Sequence, residues 1–139
     1  MSGDSRRPPT WSIIKSMAKN QEKYSWPQFD SDVRKIAVWA KKKRRKNIYG
    51  FPRGGLVLGV ALSHRLNIPI VLDKEDISNE TLVVDDIVDS GETVRKLLLF
   101  LSAKPLVASI YLKDGAKTKP NFFLRAKKSK WIHFPWEKE

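Results

Sequence analysis

The chain contains no cysteine, which excludes a disulfide framework and any thiolate zinc site. Its two histidines, His64 and His133, stand far apart, so an imidazole-based metal site is disfavoured and a metal would have to sit on oxygen. No apolar run approaches the roughly 20 residues of a membrane span, and the amino terminus lacks the apolar core of a signal peptide. A soluble, cytoplasmic protein is expected. Also missing are the Gly-Lys-Ser/Thr of a P-loop and the spaced glycines of a dinucleotide fingerprint, which removes two common nucleotide-binding classes.

What is present suffices for one packed domain: 139 residues, 41% of them apolar. The net charge of +12 is unevenly placed. Residues 1 to 50 hold 13 Lys and Arg against 4 Asp and Glu, residues 51 to 100 hold 5 against 8, and residues 101 to 139 hold 9 against 3. A dedicated nucleic-acid binder usually carries its basic stripe through the recognition element. Here the motif-rich centre is acidic and the flanks basic, which suits an enzyme that binds a polyanion through a cation.

Residues 1 to 25 read as a basic arm with one short helix around Trp11 to Met17, and residues 26 to 139 as a single domain. A helix is expected over Asp32 to Arg44, capped by Asp30 or Ser31, because Val33, Ile36, Ala37 and Ala40 fall on one face. The run Lys41 to Lys46 closes it as a solvated, dipole-complementing end, with a nucleic-acid or phosphate patch as the alternative. Asn47 to Phe51 reads as a strand, Pro52 to Gly55 as a turn, and Leu56 to Leu66 as a helix stopped by Asn67. Strands follow at Pro69 to Leu72, Thr81 to Asp85 and Leu106 to Leu112, with a helix over Glu92 to Ala103 and a short apolar piece at Phe122 to Leu124. Alternating strands and helices predict an α/β fold around a mainly parallel sheet of about four or five strands.

The segment Leu82-Val-Val-Asp-Asp-Ile-Val-Asp-Ser-Gly-Glu-Thr93 carries the chemistry. A buried strand ends in two adjacent carboxylates and turns through a glycine into a helix, the place where parallel sheets bind ligands. Successive N–H groups of residues 89 to 93, with the hydroxyls of Ser90 and Thr93, converge on one anion at a helix N-terminus. Asp85 and Asp86 are suited to vicinal sugar hydroxyls and to magnesium through its waters. A phosphate beside a diol indicates a ribose phosphate. Asp89 with Glu92 also reads as a capping box, but capping leaves Asp85 and Asp86 unexplained.

This segment resembles the phosphoribosyl pyrophosphate motif of the type I phosphoribosyltransferases. The resemblance implies that Asp85 and Asp86 hold the ribose and assist Mg2+, and that Asp89, Ser90, Gly91, Glu92 and Thr93 wrap the 5′-phosphate. It further implies that Asp89 lies near N7 of a purine as general base or acid. Two more segments are similar to the bacterial xanthine-guanine (hypoxanthine) phosphoribosyltransferases. Pro52-Arg-Gly-Gly-Leu-Val-Leu-Gly59 matches a pyrophosphate loop, implying a catalytic charge at Arg53 and backbone donors at Gly54 and Gly55. Trp131-Ile-His-Phe-Pro-Trp136 matches a purine-binding tail, implying that Trp131 stacks on the base, Ile132 offers backbone groups and Lys113 donates to the 6-oxo oxygen.

By that resemblance the fold is the type I phosphoribosyltransferase fold, the substrates are phosphoribosyl pyrophosphate and a 6-oxopurine, and the reaction is purine salvage. Two departures stand out. Only residues 73 to 80 join two strands where such enzymes usually carry a long mobile hood, so the basic arm or a neighbouring subunit is expected to cover the site. His133 stands where the resembling enzymes have an acid. A nucleotide-sensing or RNA-binding relative with little transferase activity is the alternative, and exposed Trp and Phe in so small a domain point to a homodimer or homotetramer.

Overall fold

The structure, a computed structural model, describes residues 21 to 138. The expected helix at residues 11 to 17 lies outside them. In chain order the elements are β1 (Gln21–Lys23), α1 (Trp26–Lys43), β2 (Asn47–Gly50), α2 (Gly54–Leu66), β3 (Ile70–Val71), one 3₁₀ turn (Lys74–Asp76), β4 (Thr81–Val88), α3 (Glu92–Phe100), β5 (Leu106–Lys113), β6 (Phe122–Lys127) and β7 (Trp131–His133). The described residues fall into two compact units, 27 to 128 and the pair of segments 21 to 26 with 129 to 138.

The larger unit is built on five strands in the order β3-β2-β4-β5-β6, with every pair parallel. Ile48, Leu82, Val83, Val84, Ala108 and Ile110 are fully buried, as expected of strands covered on both faces. From β2 the chain crosses through α2 to β3 on one side, whereas β4 leads through α3 to β5 and on to β6 on the other. The direction therefore reverses between β2 and β4. A crevice opens at such a switch point, beyond the carboxyl ends of the two strands.

Several boundaries differ from the sequence expectation. Helix α1 begins at Trp26 and Pro27, because a proline in the first turn needs no N–H partner. Asp30, expected as its cap, lies inside the helix and pairs with Arg34 at 2.6 Å. Helix α3 stops at Phe100, and Leu101 is already extended, ahead of the Pro105 that bars a helical Lys104. Asn67 does end α2, in the left-handed conformation with φ of 54°.

Strand β4 runs on to Val88, since Ile87 and Val88 pair with Tyr111 and Leu112. Strand β2 stops at Gly50, opposite Val84, so Asp85 and Asp86 lie past its end although they remain inside β4. The apolar piece at Phe122 continues to Lys127 as the fifth strand. Its Arg125 is accommodated because Asp32, 1% exposed on the inner face of α1, accepts from Nε at 2.8 Å and Nη2 at 3.1 Å. Trp39 of α1 stacks on Phe122 with ring centroids 4.8 Å apart, which fastens the helix to this edge.

The connection from β3 to β4 holds only the 3₁₀ turn. Its end is tied down where Ser78 N–H donates to Thr81 Oγ1 at 2.8 Å and Thr81 Oγ1 donates to Asn47 Oδ1 at 2.6 Å. In the smaller unit β1 and β7 pair in parallel, Gln21 with Trp131 and Lys23 with His133. Phe134 meets Tyr24 edge-on at 5.2 Å and stacks on Trp136 at 4.7 Å. No described helix is long and apolar enough to cross a membrane.

Candidate active site

The turn from β2 into α2 lies directly against β4 at Val84 to Asp86. Phe51 N–H donates to the Val84 carbonyl at 3.0 Å. A Cβ on Gly54 would overlap the Asp86 carboxylate, and one on Gly55 would stand 2.7 Å from the Val84 oxygen and 3.1 Å from Asp85 Oδ1. Only glycine permits this approach. Arg53 occupies the N-cap position of α2 with its side chain exposed, and the Pro52–Arg53 peptide is cis. The positive end of the α2 dipole thus faces the carboxylates from the β2 side.

Each carboxylate binds the next backbone amide: Asp86 N–H donates to Asp85 Oδ1 at 2.9 Å, and Ile87 N–H donates to Asp86 Oδ1 at 2.8 Å. Burial pushes Asp85 up to about 9, with a hydrogen bond to Asp86 and the repulsion of its charge adding to the effect. The ligand-free pair therefore resists holding two negative charges. Donors from sugar hydroxyls or a divalent cation would relieve it. Oxygen donors fit a hard cation such as Mg2+, but among the described residues no cluster of three or more acidic or imidazole groups could hold a metal alone. A cation here has to share its coordination with a ligand or with water.

On the other side of the pair a cavity of about 80 Å³ is lined by Asp85 and residues 87 to 94. That is about two to three water volumes, the scale of one tetrahedral phosphate. Gly91 turns the loop with φ of 86°, and a Cβ there would collide with the backbone of Thr118. Lys117 N–H donates to the Ser90 carbonyl at 3.0 Å, so the turn after β5 supports the loop from behind. Ser90 Oγ accepts from Glu92 N–H at 3.2 Å.

The capping box is not formed. Gly91 stands at the N-cap with no side-chain cap bond. Glu92 instead accepts twice from Arg95, at 3.0 and 2.6 Å, and this partner holds its carboxyl below the usual range. The N-terminus of α3, with the Thr93 hydroxyl exposed in its first turn, is consequently open to an anion.

Asp89 meets two lysines. Its Oδ1 is 3.9 Å from Lys113 Nζ and 3.7 Å from Lys127 Nζ. Sequence reasoning singled out Lys113 and missed Lys127, because the end of β6 resembled a charged loop. The larger unit thus brings together Arg53, Gly54 and Gly55, the Asp85–Asp86 pair, residues 89 to 93 and Lys113. Trp131 and Ile132 belong to the smaller unit, where Trp131 is 60% exposed and Ile132 is buried. There His133 Nε2 is buried without a hydrogen-bond partner among the described residues.

No family model matches the chain. It is 29% identical over 137 residues to the xanthine-guanine phosphoribosyltransferase of Idiomarina loihiensis, covering 81% of the chain and 84% of that protein. The protein of the same name from Vibrio atlanticus is 26% identical over 133 residues, covering 81% and 86%. Among solved structures, a purine phosphoribosyltransferase from Pyrococcus horikoshii superposes with a TM-score of 0.74 at 27% identity, covering 86% of the chain and 96% of that structure. The xanthine-guanine-hypoxanthine phosphoribosyltransferase of Helicobacter pylori gives 0.73 at 26% identity, covering 84% and 91%.

Proposed function

We propose that this chain, which has the type I phosphoribosyltransferase fold of these relatives, moves the 5-phosphoribosyl group of phosphoribosyl pyrophosphate onto a ring nitrogen of a 6-oxopurine and releases pyrophosphate. The observation that carries the reading is the switch-point crevice. It sets a carboxylate pair between a glycine turn bearing an arginine and a phosphate-sized loop at a helix N-terminus. The names of the relatives favour catalysis over the sensing or RNA-binding alternative.

In this reading Asp85 and Asp86 accept the ribose hydroxyls, and residues 89 to 93 take the 5′-phosphate. Arg53 with the amides of Gly54 and Gly55 takes the pyrophosphate. The leaving group and the attacking nitrogen lie on opposite sides of the anomeric carbon, so positive charge builds on the ribose between them, next to the acidic pair. Asp85 and Asp86 would hold Mg2+, which would supply positive charge to the departing group. Lys113 donates to the 6-oxo oxygen, Trp131 and Ile132 hold the ring, and Asp89 receives the proton released from the purine. A homodimer or homotetramer completes the proposal, supported by exposed Phe100, Phe123, Leu72 and Leu99.

The test is to mix the protein with Mg2+, phosphoribosyl pyrophosphate and a panel of guanine, hypoxanthine, xanthine, adenine, uracil and orotate, following nucleotide and pyrophosphate together. Product is expected with 6-oxopurines and should vanish in Asp86→Asn. Product with pyrimidines alone would refute the roles of Lys113 and Trp131. No product with any base would refute the transferase reading.

A further inference from the structure

Six cations follow one another from Lys41 to Lys46, and five of them are exposed. Complementing the dipole of α1 accounts only for its last turn, Lys41 to Lys43, because the effect fades within one turn. Three of the six have other contacts. Lys43 Nζ stands 5.8 Å from the centroid of the Trp39 ring, Arg45 donates to the carbonyls of Lys43 at 3.1 Å and of Asn79 at 2.5 Å, and Lys46 Nζ is 3.4 Å from Glu80. Lys41, Lys42 and Arg44 meet no carboxylate within ion-pair distance among the described residues.

Asn79 joins this run to a second loop. Its carbonyl takes Arg45, and its side-chain oxygen accepts from the N–H of Lys104, also exposed, at 2.7 Å. The run precedes β2, Asn79 and Glu80 precede β4, and Lys104 precedes β5, so these cations gather where the parallel strands begin. The crevice of the candidate site lies at the opposite end of the same strands. Among the described residues Glu80 is the one carboxylate that pairs with any of the cations in this patch.

Such a surface fits a repeating anion. The cores of protein interfaces are depleted of lysine, and no apolar residue interrupts the run to anchor a protein or acyl chains. Nucleic-acid interfaces are instead strongly positive. Trp39, the aromatic ring beside the run, is already stacked on Phe122, so contact falls on phosphates rather than on stacked bases.

We propose that the amino end of the sheet, at Lys41, Lys42, Arg44, Arg45 and Lys104, binds the phosphodiester backbone of nucleic acid without sequence preference. This is an accessory property beside transfer, and it does not depend on the transferase reading, because patch and crevice share no residue. Each phosphate contact releases a counterion, so five contacts give a slope of log affinity against log salt of about −3.5 on a single strand.

The experiment follows fluorescence anisotropy of labelled strands of roughly 20 nucleotides, RNA and DNA, single-stranded and duplex, titrated with the full chain between about 50 and 200 mM salt. Lys41→Gln/Lys42→Gln/Arg44→Gln is compared with Lys35→Gln/Lys74→Gln/Lys128→Gln, which removes the same charge from other exposed positions. The patch variant is expected to bind at least about tenfold more weakly at low salt, with a slope shallower by about two, while the control changes affinity less than about twofold. Melting temperatures check both folds, and Lys104→Gln alone, expected to flatten the slope by about 0.7, reports should the triple variant not fold. Binding to RNA only or to DNA only supports the proposal and names the source of the phosphates. A wild type that binds no strand at low salt overturns it. So does an unchanged slope in the patch variant, an equal loss in the control, or tighter binding to vesicles of anionic phospholipid than to any strand.

Discussion

Replacing Asp85 by asparagine sets the stability of the ligand-free fold against its chemistry. Asparagine is isosteric, stays neutral and keeps the Oδ1 that accepts the Asp86 amide. In the folded protein Asp85 sits near 9, raised by burial and then by its neighbour Asp86, against about 3.9 in an unfolded chain. Between those values the folded state holds a proton that the unfolded state has released. Its contribution to stability is complete below about pH 4 and is lost as pH rises through about 9, at up to ~1.4 kcal/mol per unit. At pH 7 the carboxyl therefore destabilises the free fold by on the order of 2–4 kcal/mol. Urea unfolding without ligand, at pH 5, 7 and 8.5, should show Asp85→Asn more stable than wild type by a margin that widens with pH. Phosphoribosyl pyrophosphate with Mg2+ should stabilise the wild type far more than the variant, because only the carboxylate gains from donors and a cation. Parallel pH profiles, or a variant less stable than wild type at pH 8.5, would refute the reasoning.

Gly91→Ala places a Cβ at φ of 86° and against Thr118, and should lower stability by about 2 kcal/mol while weakening phosphoribosyl pyrophosphate binding, measured by thermal unfolding and calorimetry. Asp32→Asn leaves the Arg125 guanidinium short of its buried counter-charge, and a loss of about 3 kcal/mol is expected in urea unfolding, with kcat changed little in what remains folded. Arg53→Ala removes an exposed charge from the turn before α2, so melting should hold while kcat/KM for phosphoribosyl pyrophosphate falls about 100-fold.

The contiguous parts of the candidate site are legible in the sequence. Leu82 to Thr93 announces itself because strand, carboxylates, glycine and helix start follow one another in the chain, and local backbone preference alone produces that order. The Pro52 to Gly55 turn was readable for the same reason. The end of β4 was not, because Ile87 and Val88 become strand only by pairing with Tyr111 and Leu112. Nor was the length of β6, whose Arg125 and Lys127 look like loop residues until distant carboxylates receive them.

By itself the sequence determined the alternation of strands and helices, the glycine loop before α3, the carboxylate pair and the short connection before β4, since each depends on neighbours along the chain. Tertiary structure alone decided three things. It set Gly54 and Gly55 against Asp86 and Asp85, tied Asp32 to Arg125 across 93 residues, and turned Asp89 away from the cap of α3 toward Lys113 and Lys127. The reason is common to all three. Desolvation and charge act through space, so which partner a carboxylate takes is settled only when remote strand ends are brought to one edge of the sheet.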